Sequence, residues 1–152
     1  MELKISDNVT VNATEDEVSA FLADIESVSS CIPDSKNFRR RSDNEFDIEA
    51  EVGMAQIRGT FLVSGSLAKS DKRNFRYTLE AHGLGSKAHI ELGLKVSPAG
   101  SGSASVIEWD ADANLSGIIS GVNEQILMRF SQDKISQIIQ NLKTRLEGRH
   151  AG

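Results

Sequence analysis

A chain of 152 residues, 39% hydrophobic and 26% charged, has the length and composition of one soluble globular domain with its own core. A net charge of -5 and a pI near 5.2 exclude the basic footprint expected of a nucleic-acid-binding protein. The single cysteine, Cys31, excludes an intrachain disulfide and fits a reducing compartment. No apolar run nears the ~20 residues that cross a bilayer, and the first residues lack a signal-peptide pattern. The expectation is a cytoplasmic chain whose membrane contact, if any, is peripheral.

Residues 2–12 alternate, with Leu3, Ile5, Val9 and Val11 on one parity, which predicts a half-buried strand. Thr14-Glu15-Asp16-Glu17 has the form of a capping box, with Thr14 as N-cap and Glu17 reaching back. Val18, Phe21, Leu22 and Ile25 follow at helical spacing. A second short helix is predicted from Ser27 to Cys31, stopping before Pro33, because a proline pushes the preceding residue out of the helical region.

From about 35 to 116 the period becomes two. Phe46, Ile48, Ala50 and Val52 alternate with Asp47, Glu49 and Glu51. The sets Ile57, Phe61, Val63, Leu67 and Phe75, Tyr77, Leu79, Ala81 follow. Then come Ala88, Ile90, Leu92, Leu94, Val96 and Ile107, Trp109, Ala111, Ala113, Leu115. One dry and one wet face on every strand predicts an antiparallel sheet covered on one side. Short turn-like segments join the strands: Ser42-Asp43-Asn44, Gly53-Met54-Ala55, 70–74, Gly83-Leu84-Gly85-Ser86 and 98–102. Gly59, Gly65 and Gly93 are expected to let the strands bulge and the sheet curl.

Residues 118–146 read as one long closing helix. Its apolar stripe is Ile119, Val122, Ile126, Phe130, Ile135, Ile138, Ile139, Leu142 and Leu146. Lys143, Arg145 and Arg149 gather where the helix dipole favours positive charge. Ile118, Leu127 and Met128 widen the apolar surface of its first turns. The predicted fold is α+β: about seven antiparallel strands in a curved sheet wrapped around a long C-terminal helix, with two short helices after the first strand. One domain spans 1–148, followed by a short tail, 149–152. Such a helix-grip shape readily leaves a cavity between sheet and helix.

Four stretches resemble one family. They are Ser30-Cys31-Ile32-Pro33-Asp34; Val52-Gly53-Met54-Ala55-Gln56-Ile57-Arg58-Gly59-Thr60-Phe61; Gly83-Leu84-Gly85-Ser86-Lys87-Ala88; and Leu115-Ser116-Gly117 with Ile118 and Ile119. In this order they resemble the CoxG-like family, named for the G subunit of carbon monoxide dehydrogenase, within the START-like (SRPBCC) superfamily. Asp34 stands where that family has glycine, a replacement that aspartate tolerates at positive φ. Many relatives carry an apolar C-terminal tail resembling a membrane anchor; this sequence shows none.

The resemblance implies an accessory protein without catalytic residues, partnered with the subunits of a molybdenum hydroxylase of the CO dehydrogenase type. It implies help with membrane recruitment or coupling to the respiratory chain, at the inner face of the cell membrane. It also implies an apolar small molecule in the cavity, a quinone or lipid-like molecule. This step rests on analogy of fold.

The expected cavity lining is Phe61, Val63, Phe75, Tyr77, Leu79, Ile90, Leu92, Ile107 and Trp109 from the sheet, with Ile119, Val122 and Ile126 from the helix. The same residues equally describe a filled core. Tyr77 and Trp109 have polar tips that seek partners when buried, either a ligand head group or backbone. Val122→Trp is expected to block ligand uptake with the fold intact.

Other features have simpler readings. Gly83-Leu84-Gly85-Ser86-Lys87 lacks the full phosphate-loop pattern and opens no helix, so a hairpin turn accounts for it. His82 and His89 point away from the apolar face, with Glu80 able to meet His89 across the turn. Exposed strand residues of this kind are ordinarily solubilising, and no metal is assigned. His150 falls in the tail. Cys31 lacks an activating base and is expected to pack as a small hydrophobe. Lys36, Arg39, Arg40 and Arg41 adjoin the acidic alternation from Asp43 to Glu51. They suit opposite-charge pairs, or an anionic lipid or acidic partner surface. Two rival functions stand: a small polyketide-cyclase-like enzyme with Tyr77 as acid–base group, and a partner-docking or dimerisation module using Ile118, Leu127 and Met128.

Overall fold

The computed structural model describes residues 1–54, 57–69 and 71–151, with the backbone alone at 69 and 149–151. The elements run β1 (Glu2–Val11), α1 (Glu15–Leu22), α2 (Ile25–Ser29), β2 (Ser35–Ser42), β3 (Glu45–Met54), β4 (Ile57–Lys69), β5 (Asn74–Gly83), β6 (Ser86–Ala99) and β7 (Ala104–Gly117). A 3-10 turn (Ile118–Gly121) and α3 (Glu124–Ala151) complete the chain. The seven strands form one antiparallel sheet in the order β1-β7-β6-β5-β4-β3-β2, so β1 and β2 are its edges. The α+β helix-grip architecture read from the periodicities is the one observed. The junction residue Ala55 and the turn residue Ser70 lie outside the described residues, as do Gln56 and Gly152.

Local chemistry explains the element ends. Thr14 accepts from the Glu17 amide at 3.2 Å while the Glu17 carboxylate accepts from the Thr14 amide, closing the capping box. Leu84 and Gly85, both at positive φ, form the tight turn between β5 and β6. Arg73, before β5, reaches α1 and donates to Asp16 and Ser19, each at 2.8 Å, which pins that helix over one end of the sheet. Its guanidinium, with Lys72, holds the Asp16 carboxyl below the usual range.

Three expectations are corrected. The closing helix does not begin at 118. The 3-10 turn comes first, Val122 is extended, and the Asn123 side chain accepts from the Gln125 amide at 2.8 Å as the N-cap. An Asn-Glu pair inside an apolar run was the overlooked start signal. Similarly, α1 ends at Leu22, and Ile25 opens α2, which spans Ile25–Ser29 rather than 27–31. Finally, Gly59, Gly65 and Gly93 do not bulge, because the pairing runs through them without a register shift. Gly65 instead admits the Phe46 ring on the inner face, and a Cβ at Gly93 would meet an Asp110 carboxylate oxygen at 2.6 Å on the outer face. The backbone of α3 runs through Ala151; the side chains of Arg149 and His150 are not among those described.

Candidate functional site

The inner face of the sheet is not uniformly packed. At one end Val11, Phe46, Tyr77, Leu94, Val96 and Ile107 join Leu22 and Ile25 under α1 and α2, with Leu142 and Leu146 of α3. At the other end Leu3, Met54, Ile57, Phe61 and Leu115 meet Ile119, Val122 and Leu127. Both clusters are fully buried. Between them lies a waist whose inward residues are only half-buried: Val63, Leu79, Ile90 and Leu92, with the small residues Ala81, Ala111 and Ala113. Ala113 stands opposite Ile90 and Ala111 opposite Leu92, so short side chains leave room beside long ones. The middle of α3 presents Ile135, Ile138 and Ile139, also half-buried. These side chains have inward parity and most of them pack against the edges of the two clusters, yet each keeps some exposure to solvent. A cleft of about 600 Å³ lies beside this region between β1 and α3, lined by Ile5, Val9, Trp109, Ile135 and Ile139; it shares the two isoleucines of α3 with the waist but none of the waist's sheet residues. Its polar lining is Ser6, Asp7, Asn8, Gln132, Asp133, Ser136 and Gln140.

The expected lining residues divide accordingly. Val63, Leu79, Ile90 and Leu92 lie in the waist, and Trp109 borders the cleft. Phe61, Phe75, Tyr77, Ile107, Ile119 and Val122 are buried in the two end clusters. Val122 is 5% exposed within packed core, so Val122→Trp would overpack that end rather than test the waist. Ile126 is 44% exposed, in a separate cleft with Met54, Arg129 and Phe130. The cause is the helix start: with Asn123 as N-cap, Leu127 rather than Ile126 turns inward. Leu127, 2% exposed, is thereby removed from the expected docking patch with Ile118 and Met128. The alanines and the mid-helix isoleucines were absent from the expected lining, although their alternation and helical spacing were visible.

The polar candidates resolve clearly. The Tyr77 hydroxyl donates to the Leu22 backbone carbonyl at 2.7 Å, and burial pushes the phenol upward. Cys31 is fully buried and burial raises its thiol, as expected of a packed hydrophobe. Its carbonyl accepts from Asn141 of α3 at 2.9 Å, and Asp34, at φ 60°, pairs with Lys134 of α3 at 3.0 Å. The turn with aspartate in place of glycine thus holds the long helix. The cations of β2 pair with acids: Arg41 with Asp47 at 3.1 Å, Arg39 with Asp47, Lys36 with Glu51, and Arg40 with Asp24. On the outer face His89 is clamped between Glu80 and Glu91, which raises its pKa, chiefly through the Glu80 hydrogen bond. Among the described residues no group of His, Cys, Asp and Glu converges to hold a metal. Nor, among them, is any helix long and apolar enough to cross a membrane.

A family model for CoxG, the G subunit of carbon monoxide dehydrogenase, matches residues 8–147. No curated protein gives a significant match to the sequence. Among solved structures, a conserved protein from Geobacillus kaustophilus superposes with a TM-score of 0.83 at 15% identity, covering 95% of each chain. A START superfamily protein from Mycobacterium smegmatis gives 0.74 at 13% identity, over 95% of this chain and 97% of that one. The Zhui aromatase/cyclase from Streptomyces sp. R1128 gives 0.70 at 13%, over 98% and 96%. At such identities the likeness concerns the fold, which is START-like.

Proposed function

This chain belongs to the CoxG family of carbon monoxide dehydrogenase accessory proteins, and on that premise we propose that it is a non-catalytic binding protein serving a molybdenum hydroxylase of the CO dehydrogenase type. Residues 1–148 act as one binding unit that takes an apolar molecule between sheet and α3. The observation that supports this is the half-buried waist between two filled clusters. Leaving such apolar surface wet forgoes about 25 cal/mol per Å², which an apolar ligand would recover.

A quinone suits the site. Its isoprenoid tail matches the Val, Leu, Ile and Ala lining, and its ring oxygens would find donors at the cleft rim in Asn8, Gln132, Ser136 and Gln140. A quinone carrier at the inner face of the membrane would couple the partner enzyme to the respiratory chain. A small START-like enzyme would need polar groups converging in the waist. The sheet residues there are aliphatic, and the Tyr77 hydroxyl is committed to Leu22.

Trp109, the single tryptophan, borders the cleft and reports on it. Titration with a short-tail quinone should quench its fluorescence saturably at one equivalent, and Ala111→Phe should abolish the quench. Capture of the molybdenum hydroxylase from the native organism by the tagged protein tests the partner. Linear, collisional quenching unaffected by Ala111→Phe would remove the ligand reading.

A further inference from the structure

The end of the molecule where α3 begins carries an exposed apolar tip. Leu84 occupies the first position of the β5–β6 turn at φ 54°, a conformation that favours glycine or asparagine there and strains a branched side chain. It is nonetheless a leucine, 39% exposed. Ile118, 58% exposed, lies over Gly85 of the same turn, its Cδ1 2.7 Å from where a Cβ would stand. Leu84 in turn overlies Gly59 on β4. Ile126 adds a third exposed aliphatic side chain at this end, beside the β3–β4 hairpin.

Exposed cations surround this tip. Arg58 and Lys87 flank the two hairpins on the strands next to the turns, and Arg129 borders the Ile126 cleft. All three are exposed, and none makes an ion pair among the described residues, whereas the cations of β2 and Arg73 do. The carboxylates that α3 brings to this end are Glu124, in its first turn, and Asp133, which borders the same cleft as Arg129. In a chain of net charge -5, these three cations gather around exposed aliphatic side chains. Isolated aliphatic residues at loop tips inside a cationic collar match the boundary between headgroups and acyl chains of an anionic bilayer.

We propose that this tip, Leu84 and Ile118 with Arg58, Lys87 and Arg129, is a docking surface for an anionic lipid bilayer. It deepens the carrier reading by giving a ligand-loaded protein a defined way to meet the membrane, and it stands on observations separate from the waist.

The test is flotation of the full chain with vesicles of 70% phosphatidylcholine and 30% phosphatidylglycerol, against phosphatidylcholine alone, at low and high salt. Wild type should partition onto the anionic vesicles and release with salt. Neutralising Arg58, Lys87 or Arg129 to Gln should lower partition about fivefold each. Lys143→Gln, near the other end of α3, should have no effect. Leu84→Asn is the sharpest variant: asparagine suits the left-handed turn, so the fold should hold while partition falls about tenfold. Equal binding to neutral vesicles, no binding at all, or full binding by Leu84→Asn would each overturn the proposal. So would a wild type that ignores vesicles while these variants lose capture of the molybdenum hydroxylase, since the tip would then be a protein-docking face. Quinone quenching of Trp109 without vesicles should be unchanged in these variants. If that quenching is absent in wild type but flotation persists, the carrier reading fails and the docking surface stands.

Discussion

The two ends of the sheet–helix layer and the waist between them are built from the same residue types and packed differently. At the ends, bulky side chains from several elements close on one another: Phe46 stacks on Phe38 with ring centroids 5.8 Å apart, and Leu142 and Leu146 of α3 meet residues of α1. Across the waist the sheet sets alanine opposite leucine and isoleucine, and both these residues and the isoleucines of mid-α3 are only half-buried. The ends fix the helix on the sheet; the waist is where the proposed ligand would bind. On the proposed function, stability and ligand binding would occupy separate stretches of one apolar face.

If that division is real, truncations should cost most at the ends. Phe46→Ala removes a ring buried against Gly65 and Phe38 and should destabilise by about 3–5 kcal/mol in urea titration. Tyr77→Phe leaves the buried Leu22 carbonyl without its donor and should cost about 1–3 kcal/mol, with quinone quenching of Trp109 unchanged. A catalytic or head-group role for Tyr77 would instead alter ligand binding. The most direct contrast is a matched pair. Ala13→Phe, in fully buried core, should destabilise by about 1–3 kcal/mol, whereas Ala111→Phe in the waist should fold within about 1 kcal/mol of wild type. Equal losses would mean the waist is packed core.

The smallest effect concerns the outer face behind the waist, where His89 joins β5 to β6 through Glu80 and Glu91. Its pKa is raised, so the stabilisation it gives is complete below the ordinary value of 6.5 and is lost as pH rises through the raised folded value. The thermal midpoint of wild type should therefore approach that of His89→Gln as pH rises, while ligand uptake stays the same. A gap that widens with pH would reverse the assignment.

Most of the architecture was legible because every strand alternates cleanly and the capping box is local. What periodicity could not show was the start of α3. The apolar run from Ile118 to Met128 looks continuous, and the cap at Asn123, whose side chain accepts from the Gln125 amide and whose carbonyl accepts from the Leu127 amide, sets the helical phase. That phase decides that Leu127 is buried and Ile126 is not. The site was half legible for a similar reason. Parity identifies inward residues such as Leu92 and Ile107 alike, but cannot say which are covered by helices and which face a gap. That distinction comes from where α1, α2 and the ends of α3 land on the sheet. Asp34 was readable as a residue tolerating positive φ; its pairing with Lys134, one hundred residues away, was not.

Native mass spectrometry of wild type and Ala111→Phe, purified without detergent and offered one equivalent of quinone, tests the central claim directly. A stoichiometric adduct on wild type, absent from a folded Ala111→Phe, is the expected result. A wild type that stays at its bare mass, or a variant that keeps the adduct, would contradict the claim that the waist is a binding site.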